Sequence, residues 1–280
     1  MSNSHTEWQS GGGPRLPLEL EREIFEIAAL DNAEDAILLS LVAKRIQIWL
    51  EPIVYRTSYR NPLARSSPAF SRWISESKRQ RVLQYTERLL LRDTYVKEAT
   101  DIINQCPNIW DLSIWDLRQL SQLDLLLAIL PSFSIQRLYI GNECLSWLRL
   151  NGSQKFNPSL YLHLTHLSLH VPKRGSPSYK VIASHATIFS KLPCLTHFAV
   201  FRSATKWSII QKLLADCTTL QLLIVFQLQT TAAVHDSEPR VVYLDPWVNT
   251  VAGWVQEELD FWQIGEKVRD DQKAIEALQK

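Results

Sequence analysis

The stretch that decides the fold is Cys217-Thr218-Thr219-Leu220-Gln221-Leu222-Leu223-Ile224-Val225, in which apolar residues stand at positions 220, 223 and 225. The same spacing occurs upstream at residues 109–114, 135–140, 164–169 and 195–200, and Leu89 and Leu91 form an earlier partial copy. Alternate residues of an extended strand share a face, so the last two apolar residues of each copy lie on one side. The spacing therefore predicts a series of short strands, each with one apolar face to bury.

Longer stretches with helical patterning separate these strands, at residues 94–105, 117–130, 180–190 and 206–216. The copies recur about every 25 to 31 residues, close to the period of strand-and-helix solenoids. One such unit cannot bury its apolar face alone, and neighbouring units must stack on it. We therefore predict an α/β fold with a curved strand/helix solenoid over residues 86–245.

Two of the copies begin with a cysteine, Cys106 and Cys217, and follow the pattern C-x-x-L-x-x-L-x-L with apolar substitutions. This pattern resembles the cysteine-containing leucine-rich repeats that occur in F-box proteins. The asparagine that follows the strand in that family is absent here. The resemblance implies irregular leucine-rich-repeat-like units that bind another protein.

The chain before the repeats divides into three parts. Residues 1–15 are polar and contain three consecutive glycines, which predicts a disordered tail. Residues 16–52 predict three helices, at 16–28, 36–42 and 43–51, with Pro52 ending the third. Residues 53–85 read as a basic connector with one helix at 70–77.

The three-helix segment carries a second resemblance, in LPLELEREIFEIAAL (16–30) and LVAKRIQIWLEP (41–52). These phrases are similar to the F-box of fungal F-box-like proteins, which docks on a Skp-type adaptor of a cullin ubiquitin ligase. The family commonly has Cys-x-x-Trp where this chain has Ala43-Lys44-Arg45-Ile46. By position, the resemblance implies an adaptor-contacting set of Leu16, Pro17, Leu20, Ile24, Leu39, Val42 and Ile46.

Residues 246–280 follow the last repeat and predict a C-terminal helix. Pro246 stands at the first helical position, and a stripe of apolar residues follows at helical spacing: Trp247, Val251, Trp254, Val255, Leu259 and Trp262. We expect this helix to pack on the final repeat and cap the solenoid, with a partner-binding helix as the alternative. We expect the charged tail from Glu266 onward to be helical and exposed.

The sequence contains no motif for a catalytic nucleophile, a phosphate-binding loop or a metalloprotease helix, so we expect no enzyme activity and no cofactor. His163, His166 and His170 are the best metal-like group, but strand geometry favours exposed surface histidines. Trp110 stands next to Asp111, which we expect to be exposed. This pair is our candidate for contact with a target protein.

The basic run at residues 56–81 could contact nucleic acid, but the chain carries a net charge of only +1. A solvated or internally paired face is the favoured interpretation, and we expect no nucleic-acid partner. No apolar run is long enough to span a membrane, and the four cysteines form no compact disulfide framework. We therefore expect a cytoplasmic or nuclear protein.

Together the two resemblances imply a substrate-recognition subunit of a Skp/cullin-type ubiquitin ligase. In this hypothesis the helices of 16–52 dock the adaptor and the repeats recruit a target protein. Two alternatives remain open. The repeats could form an interaction scaffold without any link to ubiquitination, and the helices of 16–52 could merely cap the N-terminal end of the solenoid.

Overall fold

The structure is a computed structural model, and it describes residues 16–31, 33–60, 75–141, 161–170, 189–201, 207–226, 238–245 and 261–278. The chain divides into two compact units, Met1–Val54 and Tyr55–Lys280. Within the described residues the fold is α/β, with eight α-helices and a single parallel sheet of eight strands. The predicted disordered tail at 1–15 lies outside the described residues.

The first unit consists of three helices, α1 (Leu18–Asp31), α2 (Ala33–Leu39) and α3 (Lys44–Val54). They bury a small core of Ala29, Ala36, Ile46 and Leu50. The prediction that Pro52 ends the third helix is wrong, since α3 continues to Val54. Pro52 lies inside the helix, where it cannot donate to the carbonyl of Ile48, and the chain stays helical for two further residues.

The second unit contains the sheet and the remaining helices. Its strands are β1 (Thr57–Arg60), β2 (Arg88–Arg92), β3 (Asp111–Trp115), β4 (Arg137–Gly141), β5 (His166–His170), β6 (His197–Phe201), β7 (Leu222–Phe226) and β8 (Val241–Leu244). Its helices are α4 (Glu76–Tyr85), α5 (Val96–Asn104), α6 (Leu123–Ile129), α7 (Trp207–Asp216) and α8 (Phe261–Leu278). The strands follow one another in chain order and every neighbouring pair is parallel. This arrangement is compatible with a solenoid-like α/β fold.

The register of the strands matches the spacing in the sequence. The middle apolar residue of each copy pairs with its counterpart on the next strand, in the order Leu89, Leu112, Leu138, Leu167, Phe198 and Leu223. These residues and the apolar residue two positions later are buried in one continuous core with residues of α5 and α7. We name this side of the sheet the leucine face. The predicted strands β2–β7 are therefore confirmed.

The sheet is wider than the sequence predicted. β1 lies in the segment that we expected to be a connector, and β8 follows the last recognised copy. The predicted helix at 70–77 falls mostly outside the described residues, and α4 begins only at Glu76. Strand β1 reads TSYR and lacks the apolar spacing, so its sequence gave no signal for a strand.

The C-terminal helix packs differently from the prediction. α8 lies against the side of the sheet opposite the leucine face, which we name the α8 face. Its contacts reach from Tyr139 on β4 to Val242 and Leu244 on β8, so it covers several strands rather than only the final repeat. The predicted helical stripe before residue 261 lies outside the described residues.

Candidate binding surfaces

The first unit exposes most of its apolar side chains. Its core is too small to cover them, and the exposed set comprises Leu16, Leu18, Leu20, Ile24, Ile27, Leu30, Ile37, Leu38, Leu41, Val42 and Ile48. Val42 is 64% exposed and Leu16 is 58% exposed. Concentrated apolar exposure of this kind on a folded unit is typical of surfaces that bind another protein. We name this set the helical-unit surface.

The structure places the predicted adaptor-contacting residues in two groups. Leu16, Pro17, Leu20, Ile24 and Val42 are exposed and therefore available to a partner. Leu39 is half-buried against the core of its own unit, and Ile46 is only 2% exposed within that core. Ile46 thus stabilises the helices from inside and offers no surface to an adaptor, so we remove it from the contact set.

The α8 face is organised around Trp262. The Trp262 side chain is 1% exposed, and its Nε1 donates a hydrogen bond to the Tyr139 hydroxyl oxygen at 2.8 Å. The neighbouring Phe261 ring makes edge contacts with Tyr139 at 5.7 Å and with Phe226 at 5.1 Å between centroids. Aromatic pairs in this geometry add stability beyond the area that they bury. The start of α8 is therefore held by both apolar and polar contacts.

Two histidines lie beneath the same tryptophan. The rings of His166 and His197 stack with centroids 4.2 Å apart, and Trp262 meets both of them edge-on. The Nδ1 atoms bond to the hydroxyls of the preceding residues, Thr165 at 2.8 Å and Thr196 at 2.7 Å. The prediction of an exposed His166 is therefore wrong, because α8 covers the side that the strand pattern left open. His163 is exposed as predicted, and the structure does not describe the side chain of His170.

The surroundings of this pair favour neutral imidazoles. Burial, reinforced by the nearby His197 and Arg137, lowers the pKa of His166 to about 3. Burial also lowers the pKa of His197, although Glu266 opposes the shift through a contact of 3.1 Å to Nε2. Two stacked imidazolium ions would repel each other at this distance. Protonation of the pair therefore opposes the packing of α8.

Trp110 and Asp111 lie in a network of charged side chains. The prediction that Asp111 is exposed is wrong, since its side chain is fully buried and accepts a bond from Arg88 Nε at 3.3 Å. Trp110 is half-buried, donates from Nε1 to Glu87 at 3.2 Å, and carries the guanidinium of Arg137 over its ring. The arrangement fixes both residues in the structure. A role in target binding stays a prediction, carried by Trp110 alone.

Two arginines of the basic run, Arg56 and Arg60, form ion pairs within the second unit. Arg56 Nε contacts Glu87 at 2.9 Å, and Arg60 contacts Glu98 at 2.8 Å. Residues 61–74 lie outside the described part of the chain. These two positive charges therefore face carboxylates of the same unit, and the interpretation of the whole run stays a prediction.

The cysteines and the other metal-ligating side chains form no further site in the described residues. Cys106, Cys194 and Cys217 are free thiols, and burial raises the pKa of Cys106 to about 12 and that of Cys217 to about 11. Thiols with such pKa values are poor nucleophiles. Across the described ranges, no group of three potential ligands could hold a metal ion, and no helix has the length and apolar character to cross a membrane.

Neither protein-family models nor curated proteins indicate a function for this chain. No protein-family model matches the chain. A search of curated proteins also finds no match.

The sequence assigned no role to Tyr139 or His197, which contact α8. A signal for them was present in β7. Its sequence LLIVF is apolar at every position, a pattern typical of a strand that is covered on both faces. Such a strand indicates that a second element must lie opposite the leucine face.

Proposed function

We propose that this protein is an F-box-like substrate-recognition subunit of a Skp/cullin-type ubiquitin ligase, acting in the cytoplasm or the nucleus without enzymatic activity of its own. The observation that carries the proposal is the helical-unit surface. It exposes apolar residues on the segment that resembles an F-box, including Leu16, Leu20, Ile24 and Val42. In this proposal the leucine-rich-repeat-like unit recruits the protein to be ubiquitinated.

Physical reasoning supports an apolar partner for this surface. Each exposed leucine, isoleucine or valine side chain would gain about 1.5 to 3 kcal/mol on full burial. A partner that covers several of them gains enough to offset the loss of translational freedom on binding. The salt bridge between Arg45 and Glu21 at 2.6 Å lies at the surface of the same unit, so this unit exposes polar as well as apolar groups.

Affinity capture of the full chain from cells tests the proposal. We expect a Skp-type adaptor and a cullin to co-purify with the wild-type protein. The double substitution Leu16→Ala/Pro17→Ala removes exposed apolar surface without touching the core of either unit, so we expect it to lower adaptor recovery by about tenfold or more.

The matched control is Leu162→Ala, which removes an exposed leucine from the second unit. We expect this variant to recover as much adaptor as the wild type. A stable wild-type chain that captures no adaptor would refute the proposal. Equal adaptor recovery by the double variant would refute the assignment of the contact to Leu16 and Pro17.

The second candidate is a repeat-based scaffold that binds a protein without any ligase. The position of Ile46 favours it, because a buried isoleucine supplies no aromatic anchor where the F-box family commonly has a tryptophan. A scaffold would retain all of its partners in the Leu16→Ala/Pro17→Ala variant. A complete partner list from both chains by mass spectrometry separates the two functions.

A further inference from the structure

The exposed apolar residues of α1 form a stripe. Leu20, Ile24 and Ile27 stand at i, i+4 and i+7, so they share one face of the helix, and they are 46%, 53% and 56% exposed. We name these three residues the α1 stripe. Ile27 is outside the contact set that the F-box resemblance implies, but it continues the same face. The stripe is therefore about one turn longer than the resemblance indicates.

Carboxylates line the edge of this stripe. Glu23 lies three residues after Leu20 and four before Ile27, which places it beside both of them. Glu19 precedes Glu23 by four residues and extends the same edge. Asp31 follows Ile27 by four residues and lies at the end of the stripe. All three carboxylates are exposed, and we name them the acidic border.

The helical unit does not neutralise the acidic border. The other two glutamates of α1 are paired, Glu21 with Arg45 at 2.6 Å and Glu26 with Arg22 at 2.7 Å. Within the part of the chain that the structure describes, no side chain of the acidic border makes a hydrogen bond or an ion pair. These carboxylates are therefore available to a partner.

The charge of the whole unit has the same sign. Residues 16–54 contain eight aspartates and glutamates against three lysines and arginines, whereas the full chain has a net charge of +1. An excess of negative charge on one unit of a nearly neutral chain creates a negative field around its exposed apolar residues. This field attracts cationic surfaces and repels anionic ones.

This charge distinguishes between the possible occupants of the α1 stripe. A second copy of α1 would bring two acidic borders together, and like charges across an interface oppose binding. Helices that lie on membranes carry lysine and arginine beside their apolar face, because lipid headgroups are anionic. The α1 stripe carries the opposite charge. The occupant that fits both its apolar and its charged groups is a protein with a basic binding surface.

We infer that the partner of the α1 stripe presents an apolar ridge bordered by lysine or arginine side chains, and that the acidic border selects this partner. The inference assigns Ile27 to the apolar contact and Glu19, Glu23 and Asp31 to the charged one. It rests on the adaptor-docking part of the proposed function and deepens it, because it names the chemistry of the partner at the same surface.

Two synthetic amphipathic peptides test the inference on the full-length chain. Each has about 18 residues and the same leucine stripe, and the residues beside the stripe are lysine in one peptide and glutamate in the other. We expect the lysine peptide to bind the wild type at least about fivefold more tightly than the glutamate peptide at low salt, measured by fluorescence anisotropy. The border variant, Glu19→Gln/Glu23→Gln/Asp31→Asn, should bring the two affinities within about twofold of each other. The stripe variant, Ile24→Ser/Ile27→Ser, should weaken the lysine peptide about tenfold or more.

The matched control removes three exposed carboxylates from the second unit, in Asp101→Asn/Asp124→Asn/Asp271→Asn. We expect this chain to keep the wild-type preference for the lysine peptide. Equal affinity of the two peptides for the wild type overturns the inference, and so does a preference that survives in the border variant.

Adaptor binding by the same chains separates this inference from the proposed function. We expect the border variant to associate with a purified Skp-type adaptor about threefold or more slowly than the wild type at about 0.05 M NaCl, and equally fast at about 0.5 M, because salt screens exposed charges. A wild type that prefers the lysine peptide but binds no adaptor refutes the proposed function and leaves the charge preference standing. A wild type that binds adaptor at a rate independent of salt and of the acidic border overturns the inference alone. Self-association, or binding to phosphatidylserine vesicles, that the stripe variant abolishes identifies a different occupant and also overturns it.

Discussion

The hydrogen bond between Trp262 and Tyr139 joins residues 123 positions apart in the chain. Both side chains are buried, so the indole N–H has no water to replace its acceptor. A buried donor without a partner costs about 1 to 3 kcal/mol. The packing of α8 therefore depends on the hydroxyl group of Tyr139.

Tyr139→Phe tests that coupling, because it removes the acceptor and keeps the ring. We expect the free energy of unfolding to fall by about 1 to 3 kcal/mol, measured by denaturant titration. Tyr85→Phe, at a half-buried site on α4, is the matched control and should change the stability by about 0.5 kcal/mol or less. Equal effects of the two substitutions would contradict the structural account of Trp262.

The stacked histidines predict a specific dependence of stability on pH. The folded chain keeps His166 neutral, with a pKa of about 3, whereas an unfolded histidine takes up a proton near pH 6.5. Because the unfolded state then binds more protons, acidification favours unfolding. The stability that the neutral ring contributes is present above about pH 6.5 and is lost as the pH falls toward 3.

Denaturant titrations at pH 7 and pH 4 test this prediction. We expect the wild type to lose about 1 to 3 kcal/mol more on acidification than the His166→Gln variant, which cannot take up this proton. The groups that face the pair are Glu266, Arg137 and Arg269, and they are unchanged in the variant. His163→Gln, at an exposed histidine, should follow the wild-type curve. Parallel curves for the wild type and His166→Gln would refute the role of the pair.

The sequence did not predict the burial of Asp111. The alternation of β3 places Asp111 opposite the leucine face, which favours exposure of its side chain. Its burial results from Arg88 on the neighbouring strand, because the parallel register brings the two residues side by side. This pair joins residues of two different repeats and depends on the strand register. The sequence around either residue therefore does not predict it.

At the scale of the elements, the apolar spacing identified β2–β7 for a physical reason. Two apolar residues separated by one position must share a face of a strand, and a shared face must be buried. β1 and β8 fall outside the recognised copies, and β1 carries only polar and aromatic side chains. These outer strands are fixed by backbone pairing with neighbours that are already present, a contribution that no local pattern records.

Leu112→Ala tests the importance of the paired anchors. Leu112 is fully buried and pairs with Leu89 on one side and Leu138 on the other. Truncation leaves a cavity in the core, and we expect a loss of about 2 to 5 kcal/mol in the free energy of unfolding, measured by denaturant titration. Leu162→Ala removes a leucine that is 51% exposed and should cost less than about 1 kcal/mol. Comparable losses would contradict the assignment of Leu112 to the core.

The sequence predicted that α8 is a helix, but it did not predict the surface on which α8 packs. The charged segment from Glu266 onward was expected to be helical, and the helix extends to Leu278 as expected. An amphipathic pattern indicates which residues a helix buries, but it does not identify the surface that receives them. The receiving surface is spread over strands β4 to β8 and exists only after they have paired.

At the scale of the whole molecule, the two units present different kinds of surface. The helical unit has a small core and exposes its apolar residues, whereas the second unit buries apolar residues on both faces of its sheet. In the proposed function, the first unit would dock the adaptor and the second would recruit a target. The sequence predicted three helices in the first unit, and it missed the burial of Ile46, which depends on the packing of α3 against α1 and α2.

Reconstitution with purified components tests the proposed function most directly. The full-length chain and a Skp-type adaptor, each at about 10 μM, are mixed and analysed by size-exclusion chromatography with light scattering. The account predicts a complex with one copy of each protein, which Leu162→Ala preserves and Leu16→Ala/Pro17→Ala abolishes. A folded wild-type chain that elutes apart from the adaptor at this concentration would contradict it.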